Sequence, residues 1–502
     1  GASSLDWAIQ QQENEWGVTV LQAAEEMDAG DIWATETFML RKATKSSIYS
    51  IEVTEAAVKA VLTSVERFQD SRFKPEPLDY SKPDVKGQLR PTMKQADRRI
   101  NWLTETTNVI IDKMNAADGS PGILDEIDGA QYFLYGATKE EKLTGKPGEL
   151  IGKRAGAVCR ATIDGAVWIS HLKPKGEDNG TLPIKLPATT VLADKVMCVP
   201  DYPLSIYNAH HQTFREIWYT EKNKVGYLFF DFHNGAMSTE QCHRLRESID
   251  EVAKRPTQVL VVQGGRSTWS NGIHLNVIEA SANPAEESWH NINAIDDLIL
   301  SILNVTDKIT VAAVHGNAGA GGVPLALAFD KVFVRSGVIF NPHYKTMGLY
   351  GSEYWTYSLP KRIGYERAVE ITEKCLPIGM REAKEIGMVD YLIPDTFDRF
   401  DIKIEILSET LAQSQNIEKI ITNKTVKRQQ DEFFKPLKVY RQEELSVMKK
   451  DFFREDSPYH PARKKFVFKT PVSETPFRLA LHRVDQTVSY CFHAVKDKEV
   501  LN

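Results

Sequence analysis

Cysteine is scarce in this sequence, and the few present are scattered. Cys159, Cys198, Cys242, Cys375 and Cys491 are odd in number, and none belongs to a C-x-x-C pair. That pattern argues against a disulfide framework and against a zinc site, so no metal ligands are expected. It implies reduced thiols, as in a cytoplasmic protein, and each reads as a small buried apolar residue. No apolar run approaches the roughly 20 residues a membrane span requires, and no signal peptide is visible; no membrane partner is expected. Basic excess is missing too. The formal net charge is -6 and the pI is about 6.1, which does not favour nucleic acid as a partner. The chain also lacks an initiator methionine. It opens at Gly1 in what reads as a loop, so upstream sequence is expected.

What is present suffices for several packed cores. The chain has 502 residues, 42% of them hydrophobic, enough for two to four domains. The pattern implies a multidomain α/β protein divided at 1–80, 81–195, 212–395 and 396–502. Leu5 to about Gln12 reads as a helix. Trp16–Leu21 and Ile32–Phe38 read as strands on either side of an acidic turn. Ser47 to Phe68 has helical spacing, and Thr92 to Lys113 is expected to be mostly helical. Between them, prolines and charges from Pro75 to Pro91 mark a linker. Gln131–Gly136, Gly156–Thr162 and Ala166–His171 predict strands of a small sheet or barrel, and Pro174 to Pro187 a second linker. Val225–Phe232 is a strong strand, and Ser238 to Ala253 an amphipathic helix with Ser238 or Thr239 as its cap. After Pro394 the chain is highly charged and helical.

Two stretches carry chemistry. Val311-Ala-Ala-Val-His315-Gly-Asn-Ala-Gly-Ala-Gly-Gly322-Val-Pro324 reads as a buried strand, a glycine-rich turn and a helix start. Glycines let the backbone approach a ligand closely, and backbone N–H groups there can hold a carbonyl oxygen as it gains charge. Earlier, Val259-Leu-Val-Val-Gln-Gly-Gly-Arg266-Ser-Thr-Trp-Ser270-Asn-Gly272-Ile273-His274 is another strand opening into a small-residue loop. Two such loops, each offering one N–H, make an oxyanion hole. A tight strand–helix turn is the bland alternative, but it rarely needs so many glycines.

Together these stretches resemble the crotonase (enoyl-CoA hydratase/isomerase) superfamily, from about Lys224 to Asp390, including the late Glu382-Ala-x-x-x-Gly387-x-Val389-Asp390 segment. The resemblance implies that the oxyanion donors are the N–H groups of Ile273 and Gly321. It also implies a coenzyme A thioester as ligand, with Ser270, Gly272 and Gly322 lining its cradle. Arg266 is either a phosphate partner or a surface arginine. Hydratases of this family place a glutamate three residues after the second oxyanion glycine, where this chain has Pro324. Their second glutamate falls in the loop Phe340-Asn-Pro-His-Tyr344-Lys-Thr-Met-Gly348, where spacing puts Tyr344. Both hydratase carboxylates are absent, so ordinary enoyl hydration is not expected. The C-terminal helices either cover the site or mediate subunit contacts, as in crotonases, or present a solvated face.

Met27-Asp28-Ala-Gly30-Asp31-Ile32 resembles a second family: enzymes that use 10-formyltetrahydrofolate, such as methionyl-tRNA formyltransferase. Arg90–Trp102 and Asp118-Gly-Ser-Pro-Gly122 resemble the start of that family's carboxy-terminal barrel domain. The resemblance makes Asp28 the catalytic aspartate of a D-x-G-D turn. Its partner Asn and His lie upstream in that family and have no counterpart here, so formyl transfer is expected to fail in a chain that begins at Gly1.

The two halves joined, with the strings Ser3–Ile9, Glu15–Val20 and Asn341–Trp355, resemble the HypX/HoxX family of hydrogenase maturation proteins. That resemblance implies formyl transfer from 10-formyltetrahydrofolate to coenzyme A, then decomposition of formyl-CoA to CO and CoA. The CO becomes a ligand of the nickel–iron hydrogenase centre, so small molecules and hydrogenase maturation proteins are the implied partners. Formyl-CoA has no α-carbon, which makes the lost carboxylates intelligible. In this reading Ile273 and Gly321 hold the carbonyl oxygen, Tyr344 orients the formyl group or passes a proton, and Glu353 assists as base. His343 and His274 are weaker candidates, and His315 is expected to satisfy the backbone. Packed or solvent-facing roles for Tyr344 and Glu353 are the alternatives. Two other functions stay open: a different CoA-thioester hydrolase or isomerase, and a non-catalytic CoA-binding scaffold.

Overall fold

The computed structural model describes residues 3–82, 88, 90–176, 183–208, 210–394, 399–476 and 479–480. They divide into two compact units, with the boundary between Trp218 and Tyr219. In the first, the helix Ser4–Gln10 precedes an antiparallel pair, β1 (Glu15–Leu21) and β2 (Ile32–Met39). Leu5, Ala8 and Ile9 bury one helix face against Ile48 and Ala116, with Trp16 and Phe38 alongside. The helix expected from Ser47 begins at Lys45, capped by the Thr44 side chain, and widens through one π turn at Tyr49–Val53. It then runs on as Thr54–Gln69.

The stretch from Thr92 to Lys113, expected to be mostly helical, is helical over half its length, in two pieces. Only Gln95–Arg98 and Thr107–Ala116 are α-helical. Between them the Asn101 side chain accepts the Leu103 N–H at 3.1 Å, and Trp102 donates its indole N–H to Asp125 at 2.6 Å. Arg160 lies over the Trp102 ring at 4.3 Å. A side chain that competes for the backbone, together with a buried tryptophan anchor, overrides helical spacing. Beyond this turn come β3 (Ile123–Ile127), β4 (Ala130–Glu140), β5 (Leu150–Arg154), β6 (Ala157–Ala161), β7 (Ala166–Pro174) and β8 (Leu186–Pro187). They form an antiparallel sheet in the order β3-β4-β7-β6-β5, with β8 on β7. Ile110 and Met114 of the second helix pack on Leu134, Val158, Val167 and Ile169. Part of the predicted linker from Pro75 to Pro91 and part of that from Pro174 to Pro187 lie outside the described residues.

The second unit holds two sheets. The larger contains β9 (Ile217–Lys222), β10 (Val225–Phe230), β11 (Val259–Gln263), β13 (Ile309–Val314), β15 (Lys331–Arg335) and β18 (Tyr391–Ile393), in the order β18-β15-β13-β11-β10-β9. From β10 to β18 the pairings are parallel. Its central strands β11 and β13 are buried along their whole length and mostly apolar, Gln263 and Thr310 being the exceptions, because both faces are covered. The smaller sheet, β12 (Thr268–Ser270), β14 (Asn317–Gly319), β16 (Ile339–Asn341) and β17 (Ile378–Gly379), is assembled from segments that follow the larger sheet's strands. The helix Thr239–Val252 starts at a Ser238 capping box. The helices after residue 395 belong to the same unit. Phe400 and Ile404 join the core of Val259, Val261 and Val311, and Leu437, Met448, Phe452 and Tyr459 are buried. Among the described residues no helix is long and apolar enough to cross a membrane, and no group of three or more His, Cys, Asp or Glu residues is arranged to hold a metal.

Candidate active site

The site forms where the small sheet's loops meet. After β12 the chain turns at Gly272, whose φ of +74° favours glycine. The Ser270 hydroxyl fixes this turn by accepting the Gly272 N–H at 3.1 Å. A methyl group on Gly272 would stand 3.0 Å from the Gly321 nitrogen and 3.3 Å from its Cα. The two loops therefore touch at Gly272 and Gly321, and Ile273 is the next residue in the chain after Gly272. Gly322 closes it from behind, where a Cβ would lie 2.0 Å from the Ser270 carbonyl oxygen. The buried helix Gly322–Leu327 follows, with Pro324 in its first turn.

Glu353 reaches this junction from the segment after β16, and Tyr344 lies in the same segment, within electrostatic reach of Glu353. A methyl on Gly321 would stand 2.1 Å from Glu353 Oε1, so this carboxyl rests directly on the second loop. The Tyr344 ring packs against Gly351, whose φ is +88°. Tyr344 is buried and its hydroxyl has no hydrogen-bond partner. Burial raises this phenol well above its ordinary range, and the nearby Glu353, Glu444 and Asp296 charges push the same way. Burial likewise raises the Glu353 carboxyl well above the usual carboxylate range; the Asp296 charge adds to this, and the Ser352 N–H opposes it. The environment thus favours the protonated form of Glu353, the form in which a carboxyl can donate before it accepts.

Two residues that the motifs did not single out stand beside it. Asp296, on the helix Pro284–Asn304, is buried and raised to about 7, chiefly by desolvation. Glu444, on the helix Leu437–Phe453, is raised to about 8, again chiefly by desolvation. The signal in the sequence was a carboxylate on an apolar helix face: Asp296 lies among Ile292, Ile295 and Ile299, and Glu444 with Leu437 and Met448.

Other expected residues fall elsewhere. Arg266 is half exposed and pairs with Asp401 at 3.2 Å. His274 caps the helix Leu275–Ala280 by accepting the Val277 N–H at 3.3 Å. His343 faces Gly319, with Nε2 3.4 Å from where a Cβ there would sit, and its Nδ1 lies 3.3 Å from the Thr346 hydroxyl. His315 is buried against the Phe400 ring at 4.5 Å, with Nδ1 3.8 Å from Asp401, so an aromatic stack and a carboxylate occupy it. Asp28 belongs to the first unit, exposed in the turn between β1 and β2 with a φ of 60°.

Comparison with known proteins agrees with this division. Residues 222–470 match the enoyl-CoA hydratase/isomerase family, and residues 92–182 match the formyl transferase C-terminal domain. The hydrogenase maturation factor HoxX of Bradyrhizobium diazoefficiens is 42% identical over 485 residues, covering 96% of this chain and 83% of HoxX. The crystal structure of HypX from Aquifex aeolicus in complex with tetrahydrofolic acid superposes with a TM-score of 0.91 at 43% identity. It covers 96% of this chain and 84% of that one. A doubly substituted HypX variant from the same organism gives 0.90 at the same identity and coverage. With formyltransferase-like and hydratase-like parts in one chain and a match along nearly its whole length, the protein belongs to the HypX/HoxX family of hydrogenase maturation factors.

Proposed function

We propose that this protein makes carbon monoxide for hydrogenase maturation, and that its second unit releases CO from formyl-CoA. The observation that carries the reading is the buried Glu353 carboxyl resting on Gly321, in a crotonase-like site where Pro324 and Tyr344 stand at the hydratase carboxylate positions. The N–H groups of Ile273 and Gly321 hold the formyl oxygen, and Ser270, Gly272 and Gly322 leave room for the thioester. Glu353 gives its proton to the sulfur as the C–S bond breaks and the bonding pair leaves with sulfur. The formyl C–H proton then returns to the Glu353 carboxylate, and the C–H electron pair becomes the carbon lone pair of CO. One proton moves from carbon to sulfur, and CO and CoA leave. Tyr344, its hydroxyl unengaged by the protein, orients the formyl group.

In the same proposal Asp28 serves the folate half, where 10-formyltetrahydrofolate supplies the formyl group to coenzyme A. The tetrahydrofolic acid in the Aquifex HypX crystal supports a folate donor. The test offers the purified chain formyl-CoA, acetyl-CoA and crotonyl-CoA separately, with reduced haem as CO trap. CO from formyl-CoA and no hydration of crotonyl-CoA is the expected outcome. Hydration of crotonyl-CoA, or hydrolysis of all three, would assign the site to another CoA-thioester reaction.

A further inference from the structure

The turn that carries Glu353 is built in an unfavourable backbone conformation and held from two directions. Glu353 and Tyr354 both lie in the left-handed region, with φ of 62° and 55°, where residues with side chains persist only if their surroundings hold them. From the helix Pro284–Asn304, Asp296 Oδ1 accepts the Glu353 N–H at 2.9 Å. From the helix Leu437–Phe453, Glu444 Oε2 accepts the Tyr354 N–H at 3.0 Å, and Oε1 accepts the Thr356 N–H at 2.9 Å and the Thr356 hydroxyl. The Ser352 hydroxyl sits between the two, 2.9 Å from Asp296 Oδ2 and 3.2 Å from Glu444 Oε2.

Both carboxyls are sealed from solvent on apolar helix faces. Arg441 lies 3.6 Å from Asp296 and is engaged by Asp297 at 2.6 Å. Two buried carboxyls on one turn stabilise a fold less well than apolar residues of similar size, so their placement calls for another reason. The buried, unpartnered Tyr344 hydroxyl beside them points to a ligand at the same place.

We propose that Asp296 and Glu444 are positioning residues for the reaction, clamping the 352–356 turn so that the Glu353 carboxyl rests against Gly321. The clamp brings the C-terminal helices into the chemistry through Glu444. Its like charge also opposes ionisation of Glu353. The other groups that interact electrostatically with Glu353 are Tyr344 and Cys242, with Arg441 and Asp297 behind Asp296. This inference rests on the proposed role of Glu353 in CO release.

The test measures CO release from formyl-CoA by the full chain, from mildly acid to mildly alkaline pH, for Glu444→Gln, Asp296→Asn and Glu353→Gln. Each amide keeps the size of its carboxyl. Glu444→Gln and Asp296→Asn are expected to lower kcat about tenfold with KM held. Each should also move the alkaline limb of the rate profile down by about one pH unit, because a like charge beside Glu353 has gone. A merely structural pair would lower stability and leave that limb where it is. If both amide variants keep the wild-type kcat and limb while Glu353→Gln abolishes CO release, the clamp is refuted and the reading of Glu353 stands. If Glu353→Gln releases CO normally, that reading fails and the clamp with it. Should an amide variant not fold, Ser352→Ala removes only the shared hydroxyl, and an unchanged kcat there counts against the clamp.

Discussion

Substitution of Gly321 by alanine tests how closely Glu353 is fitted to the second loop. Gly321 has φ −60° and ψ −16°, values that alanine adopts freely, so any effect comes from the added methyl. That methyl would stand 2.1 Å from Glu353 Oε1, 2.9 Å from its Cδ and 3.4 Å from Gly272 Cα. Comfortable contact between such atoms is about 3.5 Å, so the carboxyl must withdraw by on the order of 1 Å. It has little freedom to do so without cost: it is buried, and its Oε2 accepts the Ser352 N–H at 2.9 Å. A misplacement of about 1 Å costs on the order of 100-fold in rate, or about 2.7 kcal/mol of barrier. Crowding of this kind costs about 1–3 kcal/mol of stability, so the variant should fold with a modestly lower Tm. The assay is single-turnover CO release from formyl-CoA, with Gly379→Ala as control, because a Cβ there meets nothing within 4 Å. A folded Gly321→Ala protein that releases CO within about threefold of wild type would refute the placement of Glu353 at the reacting group.

Other outcomes follow from the same geometry. Tyr344→Phe removes a hydroxyl that no protein group uses; stability should be unchanged or slightly higher, while CO release falls sharply and CoA binding, read by calorimetry, persists. Glu444 is held at about 8 against an ordinary 4.5, so the folded chain binds that proton more tightly than the unfolded chain. The stability this gives is full below about pH 4.5 and lost as pH rises through about 8. Glu444→Gln does not titrate, so wild type should lose stability relative to the variant across that window, by on the order of a few kcal/mol, in denaturant unfolding at several pH values. In the first unit, Asp6 is buried between Lys45 at 3.0 Å and Arg98 at 2.8 Å. Asp6→Ala should lower the midpoint of unfolding by an amount equivalent to about 1–3 kcal/mol, below the roughly 3–5 kcal/mol for breaking a fully buried pair, because both cations keep some access to solvent.

Much of this architecture was legible because it rests on local rules. The run from Val311 to Pro324 and the stretch from Val259 to Ile273 each read as strand and glycine loop; the strands are there, but each loop also holds a short strand of the smaller sheet, β14 and β12. Of the two caps expected for the helix Thr239–Val252, Ser238 and Thr239, Ser238 is the one used. Between Thr92 and Lys113 the expected helix is interrupted by a turn around Trp102. Trp102 is anchored by Asp125 and Arg160, partners that sequence spacing does not reveal. Tyr344 and Glu353 could be reached from spacing within the resembled family. Asp296 and Glu444 could not, because they meet Ser352 from 56 and 92 residues away. Their only local mark was charge on a helix face otherwise apolar. Arg266 read as either a phosphate partner or a surface arginine; it is half exposed and pairs with Asp401 on a later helix, a partner its loop does not reveal.

The most direct test of the account is a carbon balance on formyl-CoA labelled with carbon-13 in the formyl group, turned over by the purified protein with reduced haem present. The account predicts that label appears as haem-bound CO in equal amount to the free CoA released, and that Glu353→Gln stops both. Label recovered as formate with CoA, or CoA released with no CO, would contradict it.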